Sequence, residues 1–488
     1  MTEVIAIAGA SGFVGRRLAE SLKTSHKVIG LGRGNGTDIQ GIEWRTCDLF
    51  SLKQAEASLK SVTTAFYLVH SMMPQARLVQ GVFEDFDVMI ADNFVRACAT
   101  AGVKRIIYLS GIIPEGKLSR HLSSRLEVER IVSAYGIDTC IVRAGLIVGP
   151  NGSSFNMMLN LVKRLPIMLC PVWTATLGQP SSLDDVIKAL EKLVSEVQIN
   201  GVWDIGGPDR LSYIDMMAIV AKHLKLVRRF YPVPFLTVGL SKLWVSLVSG
   251  YPKELVAPLI QSLKSPMLVT KKNLFTELKI EAQGFEECVK HGLENPHRKT
   301  PSKNATLLQV QHTSPINHQS VSKRTKQSKS EVCSMQRLVL PPGRDVKWVS
   351  IEYGAWVVRF LFPIVKVESY DSGDFDFSIK LLLFFGPKIH LLKLRYDVGR
   401  SSPTRHLYYI RGGLLVSNNA PESGRLEFRK IPDSDQIMAA IFNFQPSLPW
   451  WIYKFTQAKA HLWVMKNFGR YLKAHRQHNT KDPKQLSS

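Results

Sequence analysis

The fold is decided by residues 4–18, which read VIAIAGASGFVGRRL. The first part, Val4–Ala8, is an apolar run with the length of a buried strand. A segment with helical character, residues 16–23, comes after a short turn that holds three glycines, Gly9, Gly12 and Gly15. A strand, a tight glycine turn and a helix N-terminus form an anion site, because unpaired backbone N–H groups and the helix dipole point the same way.

The glycine spacing matches the turn that binds the pyrophosphate of a dinucleotide. Gly9 permits the sharp turn, Gly12 a close approach of the pyrophosphate, and Gly15 tight packing of the helix on the strand. The strand-to-helix context distinguishes this motif from a glycine triplet that arises by chance. An ordinary glycine-rich turn remains the alternative. The residues predicted to bind the cofactor here are Gly9, Ser11, Gly12, Phe13, Val14 and Gly15.

Length and charge set the outline of the whole chain. Its 488 residues suggest two to four domains, and 45% hydrophobic with 21% charged residues is typical of a soluble globular protein. The net charge is +23, and in residues 298–337 eight lysines and arginines face the single acid Glu331. Such a balance favours nucleic acid or anionic lipid. No nucleic-acid-binding motif accompanies it, so we predict a solvated basic linker and keep nucleic-acid binding as the weakest alternative.

Cysteine usage and hydropathy bear on the compartment. Six scattered cysteines without a C-x-x-C pair predict buried thiols in a reducing compartment. The chain begins directly with a strand, which leaves no room for a signal peptide. The longest apolar candidate for a membrane span, residues 230–250, carries Lys242 inside and prolines near its start, which is unfavourable. We predict a cytoplasmic protein and leave open a peripheral contact with a membrane.

Strands alternate with helices through the first part of the chain. Gly102 ends a helix predicted over residues 86–101. Further strands are predicted at residues 27–31, 42–47, 65–69, 103–109 and 137–143. This alternation predicts an α/β fold with a doubly wound parallel sheet.

The end of the second strand bears on which nicotinamide dinucleotide is bound. An NAD site usually places an acid there to hold the ribose hydroxyls, whereas this chain has Arg33. A guanidinium suits a 2′-phosphate, so NADP is favoured as the cofactor and NAD remains the alternative. Arg33 as a merely solvated side chain is the other interpretation.

Two more strand ends are predicted to line the cofactor crevice, since ligands of such sheets bind at the carboxyl ends of the strands. Asp48 either accepts from the adenine amino group or caps the helix that follows. His70 is a candidate for lining the cofactor, and a purely structural role for this histidine is equally consistent with the sequence. The predicted cofactor contacts at these two ends are Asp48, Leu49, Val69, His70 and Ser71.

The C-terminal part has a different pattern. Residues 294–335 are poor in apolar residues and are predicted to be a disordered connector. The domain at residues 336–480 combines strands with one long helix, residues 448–474, and resembles the helix-grip (START-like, SRPBCC) architecture, an α+β antiparallel sheet under a helix. Its predicted strands are residues 346–353, 375–385, 388–398, 406–416 and 425–430. The resemblance implies an apolar ligand cavity, and a packing seam is the alternative.

A set of motifs makes the first 293 residues recognisable. They read G-A-S-G-F-V-G, C-D-L, Y-L-V-H-S, Y-L-S-G, V-R-A-G-L-I-V-G-P and W-D-I-G-G-P. Together they resemble the extended and atypical short-chain dehydrogenase/reductases. Similar members are the NAD(P)H-binding NmrA-like proteins, the nucleotide-binding accessory subunit of respiratory complex I, and bacterial two-part proteins that end in a DUF2867 domain. H-L-S-S-R, R-L-P-I-M and Q-P also fit the two-part proteins.

The resemblance implies catalytic positions and also a departure from them. In this superfamily a tyrosine protonates the substrate oxygen, a lysine four residues on lowers its pKa, and a serine ends the fifth strand. Ser110 matches the serine, but His121-x-x-x-Arg125 stands in place of Tyr-x-x-x-Lys. His121 would donate a proton if its pKa stays near about 6.5, while Arg125 would keep the ribose and phosphate contacts. The alternative is that the domain binds NADP(H) without turnover.

Residues 151–293 are predicted to form the substrate lobe, where Gln179-Pro180 matches an element that closes the crevice in the family. Its candidate lining is apolar, which suits a hydrophobic small molecule, although packing in the core is the commoner role of such residues. That lining comprises Phe155, Met158, Leu159, Met168 and Trp173.

We therefore predict an NADPH-dependent oxidoreductase for a hydrophobic carbonyl or quinone-like substrate. The alternative is a non-catalytic redox sensor or an assembly factor for a membrane or respiratory complex. No metal site is predicted, because the histidines of the C-terminal part, His390, His406 and His461, are too dispersed. The sequence does not determine the oligomeric state.

Overall fold

The computed structural model describes residues 3–34, 39–70, 76, 78–116, 118–233, 260–294, 331–382, 385–418 and 422–480. The chain forms two compact units. The first unit consists of residues 1–70 and 87–313, and the second unit of residues 71–86 and 314–488. The predicted cofactor residue Ser71, most of the predicted linker and most of the apolar stretch 230–250 lie outside the described residues.

Helices and strands are numbered along the described chain. The helices are α1 (Phe13–Leu22), α2 (Leu52–Ser58), α3 (Phe83–Ala101), α4 (Arg120–Ser133), α5 (Ser153–Arg164), α6 (Leu183–Ser195), α7 (Tyr213–His223), α8 (Leu274–Glu277), α9 (Phe285–Glu294), α10 (Val346–Phe360), α11 (Trp450–Phe455) and α12 (Gln457–Thr480). The strands are β1 (Val4–Ala8), β2 (Lys27–Gly32), β3 (Glu43–Thr46), β4 (Thr64–Tyr67), β5 (Leu78–Gln80), β6 (Arg105–Gly111), β7 (Asp138–Ala144), β8 (Ile147–Val148), β9 (Ile167–Pro171), β10 (Leu177–Gly178), β11 (Ser181–Ser182), β12 (Gly201–Ile205), β13 (Leu211–Ser212), β14 (Arg229–Val233), β15 (Val332–Val339), β16 (Lys366–Ser369), β17 (Phe375–Leu382), β18 (Phe385–Tyr396), β19 (Arg405–Ile410), β20 (Arg425–Lys430) and β21 (Gln436–Phe444).

The first unit is built on a seven-stranded sheet in the order β12-β7-β6-β4-β1-β2-β3. Every neighbouring pair in it is parallel. The strand order reverses between β1 and β4, so the carboxyl ends of these two strands border the crevice in which such sheets bind ligands. The predicted doubly wound parallel sheet is confirmed.

Both faces of the central strands are buried, which explains the apolar residues of β1 and β4. On one face, Ile7 and Phe66 join a core that includes Leu18 of α1 and Leu190 of α6. On the other face, the ring of Tyr67 lies 4.9 Å from that of Phe94 in α3.

Helix caps and short strand pairs shape the lobe that follows the sheet. Ser182-Leu183-Asp184-Asp185 and the apolar run to Val194 predict a capped helix. The Ser182 side chain accepts from the Asp184 N–H at the start of α6, as this pattern predicts. Ser212 and Asp215 form a capping box at the start of α7. The pair β9–β14 is a two-stranded parallel ribbon in this lobe.

The second unit is built on an eight-stranded sheet in the order β16-β17-β18-β19-β20-β21-β15-β5. It is antiparallel except for the pair β15–β5. One face carries an apolar core in which Leu338 and Phe428 of the sheet meet Val349 of α10 and Phe468 of α12. Four of the predicted strands correspond to β17, β18, β19 and β20.

Two predictions for the second unit are wrong. Residues 346–353, predicted as a strand, form the start of α10, whose N-cap Asp345 accepts from the Trp348 N–H. Their β-branched and aromatic residues suggested a strand, but the buried positions Val346, Val349 and Trp356 recur at helical spacing. The single helix predicted over residues 448–474 is two helices, α11 and α12, separated at Thr456.

Residues 71–86 leave the first unit and belong to the second. Within the second unit, β5 pairs with β15, the Ser334 hydroxyl donates to the Gln80 side chain at 3.0 Å, and Arg337 lies 2.8 Å from Asp85. The domain predicted over residues 1–293 includes this segment, so the sequence boundary and the compact units differ here. β15 also begins at Val332, inside the predicted linker.

Candidate functional site

At its three glycines, the turn after β1 has little or no room for a side chain. Gly9 has φ +90°, a conformation that favours glycine, and its carbonyl oxygen accepts from the Gly12 N–H at 2.9 Å. A Cβ on Gly15 would lie 2.2 Å from that same oxygen. Gly12 is the N-cap of α1 and has no side chain to accept from the first turn. The helix therefore presents backbone N–H groups at the carboxyl end of β1, where an anion is favoured.

The other residues predicted to bind the cofactor here, Ser11, Phe13 and Val14, differ in burial. Ser11 is exposed, whereas Phe13 and Val14 are half-buried and pack against the core of the sheet. The Phe13 ring lies so close to Gly152 that a Cβ there would be 3.0 Å from it. Phe13 and Val14 thus anchor the turn, and Ser11 is the side chain that remains accessible to a ligand.

Arg33 lies beside this turn. It follows β2 directly, and the carbonyl oxygen of Leu31 accepts from the Gly9 N–H at 3.4 Å. The Trp44 ring covers Gly32, where a Cβ would lie 2.6 Å from it, and the Trp44 Nε1–H donates to the Gly34 carbonyl at 2.7 Å. The backbone on both sides of Arg33 is therefore held at the edge of the sheet next to the glycine turn.

Asp48 does not cap the following helix, so that alternative is wrong. The N-cap of α2 is Ser51, whose hydroxyl accepts from the Gln54 N–H. Asp48 instead accepts from the Phe50 N–H at 3.2 Å, because a short turn separates β3 from α2. Leu49 is buried, and its carbonyl oxygen accepts from the Asn93 side chain at 2.7 Å.

The end of β4 places a histidine near a positive charge. Val69 is buried and His70 is exposed. The positive charge of Arg125 lowers the pKa of His70 below its ordinary value. His70 is therefore neutral at pH 7 and can exchange hydrogen bonds with a ligand without carrying charge.

Ser110 is held in a buried network at the end of β6. Its hydroxyl donates to Glu129 Oε1 at 2.7 Å. Glu129 also receives the guanidinium of Arg143 from β7, with Nη2 2.6 Å from Oε2 and Nε 3.0 Å from Oε1. All three side chains are buried. Ser110 thus has a structural partner that the sequence did not reveal.

His121 and Arg125 lie one turn apart on α4. Burial, and then the charge of Arg125, lower the pKa of His121 to about 3. A neutral imidazole at pH 7 does not favour the hypothesis that His121 donates a proton with an unperturbed pKa, and that hypothesis stays a prediction. Arg125 Nη1 donates to Tyr108 Oη at 3.4 Å, and within the described part of the chain its buried Nε has no hydrogen-bond partner.

Two tyrosines and an aspartate complete the surroundings of Arg125. The rings of Tyr67 and Tyr108, on neighbouring strands, are 5.5 Å apart. Burial first, and then Asp87, raises the pKa of Tyr67 well above its ordinary value. Asp87 accepts from the Ser124 hydroxyl at 3.1 Å. Sequence reasoning missed these residues, although both tyrosines stand in a repeated Tyr-Leu pattern at the strand ends.

The substrate lobe holds one small apolar cavity of about 20 Å³. Met168 and Trp173 of the predicted lining border it, together with Leu161 and Met217. The remaining predicted residues, Phe155, Met158 and Leu159, are buried in the core of the lobe, as the packing alternative predicts. Gln179 joins segments of the lobe, since its side chain donates to the Gly207 carbonyl at 2.7 Å and accepts from the Val269 N–H at 3.1 Å.

All six cysteines are buried and none forms a disulfide bond, which confirms the predicted buried thiols. Across the described ranges, no group of three histidine, cysteine or acidic residues is placed to hold a metal ion. None of the helices in those ranges combines the length and hydropathy that crossing a membrane requires.

Comparison with known proteins agrees with the sheet and the glycine turn. Residues 5–169 match the model of the NAD dependent epimerase/dehydratase family. The auxiliary protein GraX of Staphylococcus aureus is 27% identical over 114 residues, which are 23% of this chain and 37% of that protein. The chain thus spans little more than a third of the length of this curated relative.

Solved structures resemble the first part of the chain. The NADPH-dependent quinone oxidoreductase QOR2 of Escherichia coli, solved with NADPH, is 19% identical, and the match covers 59% of this chain and 99% of that one, with a TM-score of 0.47. The triphenylmethane reductase of Citrobacter sp., solved with NADP(H), is 16% identical over 59% and 100% of the two chains, with a TM-score of 0.48.

Removing the Ser110 hydroxyl should lower the free energy of unfolding only slightly, whereas removing its acceptor, the Glu129 carboxylate, should lower it strongly. Ser110→Ala should cost about 1 kcal/mol of unfolding free energy, since Glu129 keeps Arg143. Glu129→Leu should lower the free energy of unfolding by about 3–5 kcal/mol, because it leaves the buried guanidinium of Arg143 without its carboxylate. The double variant Glu129→Leu/Arg143→Met should recover much of that free energy. Urea denaturation of the three variants measures these differences. Equal losses in both single variants would show that the hydroxyl itself carries the network.

His121 should stay neutral well below pH 6. Its folded-state pKa, about 3, lies below the unfolded value, so the unfolded chain takes up the proton first. The wild-type free energy of unfolding should fall as the pH drops from about 6.5 toward 3, with a slope of up to about 1.4 kcal/mol per pH unit from this residue. His121→Gln removes that share of the slope. NMR titration, with the imidazole signal assigned by the same variant, measures the pKa, and a midpoint near 6.5 contradicts it.

Proposed function

We propose that this protein binds NADPH in its first unit and reduces a hydrophobic, quinone-like acceptor. The observation that carries the proposal is the glycine turn, in which a Cβ on Gly15 would meet the Gly9 oxygen while the N-terminus of α1 stays without a side-chain cap. A dinucleotide pyrophosphate fits such a turn. When bound, the nicotinamide would supply the hydride.

Arg33 supports NADP over NAD. It stands beside the turn at the carboxyl end of β2, and neither it nor Gly34 offers a carboxylate to a ribose 2′-hydroxyl. A guanidinium forms charge-assisted hydrogen bonds with a phosphate. Arg33 would thus hold the 2′-phosphate, which distinguishes the two cofactors.

Arg125 supports a contact at the other end of the cofactor. Tyr108 accepts from one terminal nitrogen of its guanidinium, while its buried Nε has no partner in the described residues. Such a buried donor is costly unless a ligand oxygen accepts from it. Arg125 would therefore donate to the ribose or phosphate oxygens and remain charged throughout.

The protonation states favour a quinone over a simple carbonyl. A carbonyl that receives a hydride becomes an alkoxide, a strong base that requires an acid within reach. His70 and His121 have lowered pKa values, so neither is an imidazolium acid at pH 7. A quinone that receives a hydride becomes a phenolate-type anion, a far weaker base that takes its proton from water. The neutral side chains at this edge suffice for that reaction.

A non-catalytic NADP(H)-binding protein, such as a redox sensor or an assembly factor, is the second candidate. One observation favours it: Ser110, the match to the serine of the reductases, is engaged by Glu129 at 2.7 Å. In that case the first unit binds the cofactor, and the acceptor side of the site has no chemical role.

For the second unit we propose a DUF2867-like, helix-grip relationship. The support is its mainly antiparallel sheet, with α10 and α12 packed on one face around Phe428 and Phe468. Cytoplasmic location is likewise a proposal, supported by six buried cysteines that form no disulfide bond.

Cofactor preference should depend on Arg33. We expect the full-length protein to bind NADPH more tightly than NADH, and Arg33→Ser to weaken NADPH binding about tenfold or more with little effect on NADH. Arg130→Ser, on the exposed side of α4, is the matched control. Gly15→Ala should abolish binding of both. Fluorescence titration measures each Kd, and equal binding of both cofactors by the wild-type protein would refute the proposal.

The protein should prefer acceptors whose reduction requires no acid from the protein. We expect NADPH oxidation with naphthoquinones and little with aliphatic aldehydes, recorded from the absorbance of the reduced nicotinamide. His121→Gln should change the quinone rate by less than about threefold, since no proton passes through a neutral imidazole of this pKa. Tight NADPH binding without oxidation by any acceptor would instead establish the non-catalytic candidate.

A further inference from the structure

The β9–β14 ribbon of the first unit carries large apolar side chains on its outer face. Ile167 is 52% exposed, Leu169 44% and Tyr231 47%. Val172, immediately after β9, is 70% exposed. Single exposed apolar residues are ordinary, but a contiguous group marks a surface that binds a partner.

The strand register places these side chains on one side. Ile167 and Leu169 alternate with the buried residues Met168 and Cys170, so the two exposed residues share a face. Leu169 pairs with Tyr231 in the parallel register, and residues opposite each other point the same way. Met168 and Cys170, together with Leu169, border the small apolar cavity beneath the ribbon. The exposed side chains of Ile167 and Tyr231 therefore form the outer face.

Positive charge gathers at one end of this face. Arg229 is exposed and pairs with Ile167 in the register, and Lys163 and Arg164 end the preceding helix. Arg228 joins them, since its guanidinium donates to the Val162 carbonyl at 2.6 Å and to the Lys163 carbonyl at 3.1 Å.

Acidic residues are missing from the segments that build this surface. Neither residues 161–183 nor residues 216–233 contain aspartate or glutamate. Among the described residues, Glu286 contacts the second segment, 3.0 Å from Lys222 and 3.2 Å from His223 in α7. The ribbon surface is thus apolar and cationic.

This combination of charge and exposure identifies the partner. A second copy of the chain, docked symmetrically on this face, would bring the same cations together and be repelled. A nucleic acid would neutralise the cations but leave the apolar side chains in contact with a charged backbone. An anionic membrane surface accepts both, since apolar side chains enter the boundary of the acyl chains while lysine and arginine meet the headgroups.

We propose that the β9–β14 ribbon docks the protein onto anionic lipid membranes. Ile167, Leu169, Val172 and Tyr231 enter the interface, and Lys163, Arg164 and Arg229 contact the headgroup phosphates. The docking depends on the ribbon alone and does not require turnover. It would bring the cofactor-binding unit to the surface in which hydrophobic quinones are dissolved.

The test uses the full-length protein and sedimentation with vesicles. We expect it to bind vesicles of phosphatidylcholine mixed with phosphatidylserine, to bind pure phosphatidylcholine at least about fivefold less, and to lose binding as the salt concentration rises. Ile167→Ser/Tyr231→Ser should lower the partition coefficient about tenfold or more, because two large apolar side chains no longer leave water. Lys163→Gln/Arg229→Gln should weaken binding to the anionic vesicles only.

Matched controls lie on the same unit away from the ribbon. Val197→Ser removes an apolar side chain that is 61% exposed, and Lys53→Gln removes an exposed cation. Both should bind vesicles like the wild type, and thermal melting should show that all variants fold. Absence of vesicle binding overturns the proposal. So does binding that the ribbon variants leave unchanged, which would point to the basic residues 298–337, or a dimer in sedimentation velocity that the ribbon variants abolish.

Discussion

The constraint on which the first unit depends is the contact between Gly15 of α1 and the carbonyl oxygen of Gly9. No side chain fits there, since a Cβ would lie 2.2 Å from that oxygen. This approach sets the start of α1 against the end of β1, and the bond from the Gly9 N–H to the Leu31 oxygen ties the same turn to β2. The ends of β1, β2 and β4 therefore form one edge, which presents Arg33 and His70. An anion site at this edge thus follows from backbone packing before any charged side chain contributes.

Arg125 organises the electrostatics of that edge. Its charge depresses the pKa of two histidines, and Tyr108 accepts a hydrogen bond from it. His70 and His121 are therefore neutral imidazoles at pH 7, while the edge keeps the positive charge of Arg125. A positive edge of this kind favours an anionic ligand.

The sequence predicted what is determined by neighbouring residues. The strand, turn and helix of residues 4–22 follow from glycine spacing, and the cap at Ser182 from the apolar run behind it. Contacts between residues that are distant in the chain could not be predicted from the sequence. Ser110 meets Glu129 and Arg143 because two strands and a helix pack together, and no local pattern marks that network. The start of α10 was predicted as a strand because its residues are β-branched and aromatic. Such residues also fit a buried helix face, and here packing determines the structure more than strand propensity does.

The strand β5 has a consequence for how this chain can be made or divided. It lies early in the sequence, yet its partner β15 is separated from it by 254 residues, measured from Gln80 to Ser334. A ribosome must synthesise nearly the whole reductase-like half before the edge of the second sheet can close. A gene cut between the two halves would give an N-terminal piece with a strand lacking its partner and a C-terminal piece with a bare sheet edge, and both would be prone to aggregate. Completing the second sheet therefore requires residues 78–80 and 332–334 together, although each unit has its own core.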